Sequence, residues 1–338
     1  MKHVFIIHSH TTMLTAIGTV NSLKLNVSDV IFLFGRRYTT DAIDIPYKSV
    51  DANEIYDSSE RAYTANSNKE KMKSIDEVDE FIKNNIQEKY TLYIPNFCIA
   101  FFCLLYTNRN CVMACYIQEG AIPFSQAYQT NYSFFDLIKY IIRNIVKNKP
   151  LRIWFPCVHY RAKTLYKQKE LHSYALNNKI FANLPSINHI INWPVYNIDF
   201  EVKENGVIFI ADGFVKNKMA EKNLYLEHFA NLVNENAKEN NYIKFHPNES
   251  NEERDYIINL FKSQSLNLIV IPDNIPMELL LLKSEHFNVV GSGSSLCFFA
   301  RDLGHHVVCY DDKLYKDSEL FRNYINHTGA VLFKEMYN

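Results

Sequence analysis

Short runs of apolar residues alternate along the chain with longer stretches whose apolar positions recur at helical spacing. In the first half the runs at 3–7 (HVFII), 29–34 (DVIFLF), 90–94 (YTLYI) and 111–117 (CVMACYI) read as strands. In the second half 206–211 (GVIFIA), 242–245 (YIKF), 267–271 (NLIVI), 287–290 (FNVV) and 306–310 (HVVCY) read the same way. Helices fit 12–24, 75–88, 97–107 and 132–148, then 217–239, 250–263, 275–284 and 294–303. Strands that are apolar throughout and separated by helices imply parallel sheets covered on both faces. Residues 184–205 carry two prolines and no sustained period, and a fresh strand follows them, so they read as a linker. The pattern predicts an α/β protein of two Rossmann-like, doubly wound domains, 1–190 and 191–314, facing a central cleft. A helical stretch within 315–338 is expected to pack back across the first domain.

Size and composition agree with that division. A chain of 338 residues, 47% apolar and 14% aromatic, is long enough for two sizeable cores. A formal charge of −1 gives no global basis for nucleic-acid binding. The N-terminal MKHVFIIHSH has a short apolar run with polar residues at once after it, and is expected to be a first strand and not a signal peptide. The longest apolar stretch, 97–106, is too short to span a bilayer. Seven cysteines, an odd number with no CxxC pair, fit buried reduced thiols in a cytoplasmic protein.

Ligands of doubly wound folds gather at the C-terminal ends of strands, so the loops that follow strands hold the candidate chemistry. In YIQEGAIPF (116–124), Glu119 stands in a turn before Gly120, where a carboxylate can approach a substrate closely and act as general base. In YIKFHPNES (242–250), Lys244 and His246 share strand parity, which places a cation beside a titratable donor, a pair suited to a phosphate leaving group; Pro247 fixes the strand's end. In NVVGSGSSLCFFARDLG (288–304), a strand runs through Gly293, Ser294 and Ser295 into a helix, which forms an anion site; Ser294 reads equally as a plain N-cap. Glu278 sits in the first turn of a helix opened by Pro276, where a carboxylate can bind two ribose hydroxyls or simply offset the dipole. The Asp212-Gly213 backbone, at another strand end, can face a base. There is no Asp-x-Asp, HExxH, GxSxG or Walker A loop. A nucleotide site without a metal motif suits a donor with one phosphate, and no metal and no cofactor are expected.

Taken together, Gln118-Glu119-Gly120, His246-Pro247 and Ser294-Ser295 resemble the three short signatures of the bacterial sialyltransferases, in the same order and each at a predicted strand end. The first acidic position of that pattern is Gln118 here, which leaves the basic role to Glu119. The trio is similar in particular to the small O-antigen and capsule enzymes. The resemblance implies a GT-B fold and a metal-independent, inverting transfer of sialic acid from CMP-sialic acid to a hydroxyl of a bacterial surface glycan or its lipid-linked precursor, with galactose in α2,3 linkage as the expected acceptor. It implies Glu119 as the base on the acceptor hydroxyl, His246 as donor to the departing phosphate, and Ser294 and Ser295 as its holders. Lys244, Pro247, Gly293 and Glu278 would line the nucleotide, with Asp212 and Gly213 near cytosine. The loop His8, Ser9, His10, Thr11, with Gln118 and Gly120, would face the sugars.

Between 137 and 169 basic residues and aromatics interleave with no Asp or Glu, among them Lys139, Arg143, Arg152 and Lys169. Such a surface suits peripheral contact with the anionic inner face of a membrane; a solvated helical face balanced by the acidic stretch 76–88 is the competing reading. Transfer of another CMP-linked keto-sugar such as Kdo, polysialyl-type α2,8 elongation, and an inert nucleotide- or glycan-binding module are the alternatives to the main functional reading.

Overall fold

The computed structural model describes residues 1–38, 44–64, 67–96, 99–120, 134, 135, 138, 139, 142 and 171–337, the last apart from 183, 185, 195, 197, 204, 247, 248, 284, 285, 329 and 330. The predicted helix at 132–148 and the basic stretch 139–169 thus lie outside the described residues, save those five positions, as does Pro247. The chain divides into two compact units, with the break near Pro194.

The first unit is built on a seven-stranded sheet of order β3-β2-β1-β4-β5-β6-β7. Its strands are β1 (Lys2–Ile7), β2 (Val30–Phe34), β3 (Lys48–Asp51), β4 (Tyr90–Ile94), β5 (Cys111–Ile117), β6 (His172–Ala175) and β7 (Ile187–Ile190), and every pairing is parallel. Four central strands are apolar throughout because both faces are covered: Val4–Ile7, Val30–Leu33, Tyr90–Ile94 and Ala114–Ile117 are all buried. The Phe5 and Tyr93 rings stack across β1 and β4 with centroids 4.0 Å apart. Helix α1 (His10–Leu23) opens with a reciprocal capping box between Ser9 and Thr12. Helices α2 (Asn53–Thr64), α3 (Asn68–Asn85) and α4 (Ala100–Thr107) complete the described part of this unit. The stretch 184–205, expected to be linker throughout, contributes β7 to the sheet edge.

The second unit carries a five-stranded parallel sheet, β10-β9-β8-β11-β12: β8 (Val207–Ile210), β9 (Asn241–Lys244), β10 (Leu268–Val270), β11 (Asn288–Gly291) and β12 (His306–Cys309). Its helices are α5 (Lys222–Asn236), α6 (Asn251–Ser263), α7 (Met277–Lys283), α8 (Ser295–Asp302), α9 (Asp311–Asp317), α10 (Glu319–Thr328) and α11 (Phe333–Tyr337). The C-terminal helices make their described contacts inside this unit, where the sequence reading had sent them to the first domain. Phe321 and Leu332 enter its core, the Phe333 ring meets Phe298, and the Tyr337 hydroxyl donates to the Phe298 carbonyl and the Asp302 carboxylate. The apolar side of α11 therefore has its partner in α8. Of the cysteines, Cys103, Cys115 and Cys297 are buried and Cys111 and Cys309 half-buried, all with free thiols. No helix among the described residues is long and apolar enough to cross a membrane.

Candidate active site

In the first unit chain order reverses at β1: β2 and β3 extend the sheet to one side and β4 to β7 to the other. At such a switch point the loops leaving adjacent strands diverge and open a crevice at their C-terminal ends. Four successive strands place polar side chains there. Glu119 follows β5, His8 follows β1, Asn96 follows β4 and Arg36 follows β2. Glu119 Oε1 lies 3.0 Å from His8 Nε2 and accepts from Arg36 Nη1 at 3.1 Å, while Oε2 accepts from Asn96 Nδ2 at 3.1 Å. The Glu119 side chain is 37% exposed and that of His8 fully buried. Burial opposes ionisation of Glu119, but His8, Arg36 and Asn96 together hold its carboxyl below the usual range. It is an anion at neutral pH with one face open.

The rest of the predicted sugar-side set has other work. Ser9 and Thr12 are the capping box of α1, and Thr12 Oγ1 also accepts from the His8 and Ser9 amides at 3.0 Å each. Thr11 is buried and its carbonyl accepts from Thr15 Oγ1 at 2.8 Å. His10 Nδ1 meets the Tyr38 hydroxyl at 2.6 Å. Gln118 is 1% exposed and its Oε1 accepts from the Leu176 amide at 2.7 Å, tying β5 to the turn after β6. A neutral acceptor suits that buried position; a carboxylate with a single partner there would carry a large desolvation cost. Gly120 follows Glu119 at the end of the described stretch. Arg36 and Asn96 were not anticipated, since the sheet order that brings them to Glu119 leaves no local pattern.

In the second unit order reverses at β8, with β9 on one side and β11 on the other. Asp212 and Gly213 follow β8, His246 follows β9, and Ser292 to Ser294 lead from β11 into α8. The His246 ring fills the space a side chain at Gly213 would take: a β-carbon at 213 would stand 2.7 Å from His246 Nδ1. Burial, and then the charges of Arg254 and Lys216, push the histidine's pKa down. Gly293 turns with a φ of +122°, and Asp311 fills the space where its side chain would stand. The Ser294 hydroxyl caps α8 by accepting from the Leu296 amide at 3.4 Å, and Ser295 is the exposed first residue of that helix. Asp212 is buried, and burial pushes its carboxyl up to about 7 although Ser294 and the Ser292 amide donate to it.

One residue of the predicted donor side differs in role from the expectation. Lys244 spends its ammonium on the carbonyls of Pro272, Asp273 and Ile275, at 2.6, 3.3 and 2.8 Å. All three donors are committed, so the lysine fixes the turn into α7 and thereby the place of Glu278 in that helix's first turn. Burial of this ammonium lowers its pKa to about 8. Behind His246 stands a carboxyl the sequence did not mark: Glu249 Oε2 accepts from the His246 amide at 3.2 Å, and the Glu249 amide donates to the His246 carbonyl at 2.9 Å. Its Oε1 is buried with no partner among the described residues.

Burial, with the charge of Asp212 added, pushes Glu249 up to about 8. An acid whose folded pKa lies above its unfolded value stabilises the fold fully below the unfolded pKa and loses that contribution as pH rises through the folded one. The window here runs from about 4.5 to about 8. Glu249→Gln keeps the acceptor for His246 and cannot ionise. Its melting temperature is expected to match the parent near pH 4.5 and to exceed it at pH 9, where its unfolding free energy should be higher by up to a few kcal/mol at roughly 1.4 kcal/mol per pKa unit. Parallel melting curves across that range would show that Glu249 ionises freely.

No protein-family model matches the sequence, and no curated protein matches it. Among solved structures the chain is similar to a sialyltransferase from Photobacterium damsela, with a TM-score of 0.50 and 14% identity over 96% of this chain and 79% of that one. It also matches UDP-GlcNAc 2-epimerases from Methanocaldococcus jannaschii (TM-score 0.44, 9% identity, 98% and 88% covered) and Neisseria meningitidis (0.39, 12%, 91% and 82%). At 14% identity the first likeness shows the fold: two Rossmann-like units of the GT-B type.

Proposed function

We propose that the chain is a glycosyltransferase of the sialyltransferase kind, moving a keto-acid sugar from its CMP donor to a hydroxyl of a glycan acceptor. The observation that carries this reading is Glu119, an ionised carboxylate at the switch point of the first sheet, clamped by three side chains yet open on one face. Such a group can take a proton from an acceptor hydroxyl as its oxygen attacks the anomeric carbon. The bond from that carbon to the phosphate oxygen breaks, and CMP leaves. An anomeric centre flanked by a ring oxygen is already activated, so the protein mainly orients the acceptor and stabilises the leaving phosphate.

In the second unit the serine turn and the first amides of α8 suit that phosphate, with His246 as donor. Burial lowers the proton affinity of His246 most, and a phosphate beside it would offset the further lowering by Arg254 and Lys216. Glu278 is assigned to the ribose hydroxyls and the Asp212-Gly213 turn to cytosine. The acceptor we assign is a galactose of a bacterial surface glycan or its lipid-linked precursor, in inverting α2,3 transfer without a metal. The protein would then work on the cytoplasmic side of the membrane. The test is CMP release with EDTA present, from CMP-sialic acid and CMP-Kdo side by side, over a panel of galactosides and sialosides. Acceptor-dependent release from CMP-sialic acid is expected. Release from CMP-Kdo alone changes the donor, and CMP binding without turnover makes the chain a binding module.

A further inference from the structure

Arg36 links the base to the strand next to β1, and its backbone is unusual. Arg36 and Arg37 both adopt the left-handed region, with φ of 54° and 55°. Such a conformation is strained for a non-glycine residue and persists where surrounding contacts over-determine it. Here Arg36 Nε donates to the Tyr56 hydroxyl at 3.0 Å, the Arg37 amide donates to Asn53 Oδ1, and Gly35 lies against the Tyr56 ring. The left-handed pair turns the chain after β2 so that the guanidinium reaches Glu119. Its side chain is 44% exposed, and Nη2 has no partner among the described residues.

The arrangement has a chemical cost for a base. A carboxylate clamped by a guanidinium holds its lone pairs less available to an acceptor proton. Glu119 Oε1 carries both Arg36 and His8, whereas Oε2 carries Asn96 alone. A second carboxylate arriving at the exposed edge of the guanidinium would compete with Glu119 for the same charge in the same planar geometry. We propose that Arg36 is the receptor for the substrate's carboxylate, and that its transfer from Glu119 to that group frees the base only when an acidic sugar is bound. The inference rests on the keto-acid-sugar reading above. It adds a reason why a neutral sugar would be a poor substrate: it would leave Glu119 clamped. No proton moves in this step; one ion pair replaces another, and Tyr56 keeps the guanidinium in place through Nε.

The test follows the Glu119 side-chain carboxyl by carbon NMR in protein labelled at glutamate, assigned with Glu119→Gln. Its titration is recorded with CMP alone, with CMP and N-acetylneuraminate, and with CMP and the methyl ester of that sugar. The midpoint is expected to rise by about one pH unit with the acid and not with the ester, the low end of what a neighbouring guanidinium supplies. In Arg36→Gln it should start high and ignore both sugars. An unmoved midpoint with the acid, an equal rise with the ester, or an undiminished response in Arg36→Gln each overturns the proposal. Failure of sialyl transfer itself reads out separately, as the absence of CMP release in the enzyme assay while the titration still reports on Arg36.

Discussion

Glu119→Gln is expected to lower acceptor-dependent CMP release by at least about 100-fold, the lower bound for loss of a positioned general base. Glutamine matches the shape of the side chain and keeps one oxygen for Arg36 or His8. The ion pair it gives up with Arg36 joins a group 37% exposed to one 44% exposed and contributes little to folding in water, and the amide oxygen remains an acceptor for the buried His8. The melting temperature should therefore stay within a few degrees of the parent while turnover collapses. The pH profile gives a second check. Burial opposes ionisation of Glu119, but its three partners hold its pKa below the usual range. In kcat/KM, which reports the free enzyme, activity of the parent should thus persist on the acid side to below about 4.5 before this group protonates. Turnover of Glu119→Gln within a few fold of the parent would remove Glu119 from the role of base.

That Glu119 can be named from sequence and Arg36 cannot has a physical reason. The turn after β5 announces itself through a carboxylate followed by glycine. Arg36 and Asn96 follow strands that read correctly, but their meeting with Glu119 depends on the spatial order β2-β1-β4-β5, which the hydrophobic pattern does not encode. The central strands were legible because burial on both faces makes them apolar throughout. Three short strands of the first sheet were not: β3 (KSVD) and β7 (INHI), at its edges, are largely open to solvent and look like loop, and β6 (HSYA) is four residues with two polar side chains. Helix α2 escaped notice because its inward face is Tyr56, Ser59 and Ala62, where a serine holds a core position. Lys244 misled in the opposite way: strand parity placed it beside His246, but the turn at 272–275 offers three carbonyls that a buried ammonium needs. Glu249 gave no signal because its raised pKa comes from its burial in the fold, two residues beyond the His-Pro pair.

The largest effect expected in the second unit comes from adding one carbon. A β-carbon at Gly213 would lie 2.7 Å from His246 Nδ1, closer than real β-carbons come to any atom, and a tight 3.2 Å from its Cγ and Cε1. The backbone of Gly213 has no positive φ, so alanine is allowed there; only the ring stands in its way. The imidazole must leave its place, and Gly213→Ala is expected to lose activity to the level of His246→Ala, at least about 100-fold. The two changes should not add. Once the ring is displaced, removing it costs nothing more in rate, and it relieves the clash, so Gly213→Ala/His246→Ala should melt higher than Gly213→Ala alone. Multiplied rate losses in the double variant would mean that Gly213 contributes to the site by something other than seating the histidine. A melting temperature for the double variant below both singles would mean that the ring is part of the core and not a side chain held for chemistry.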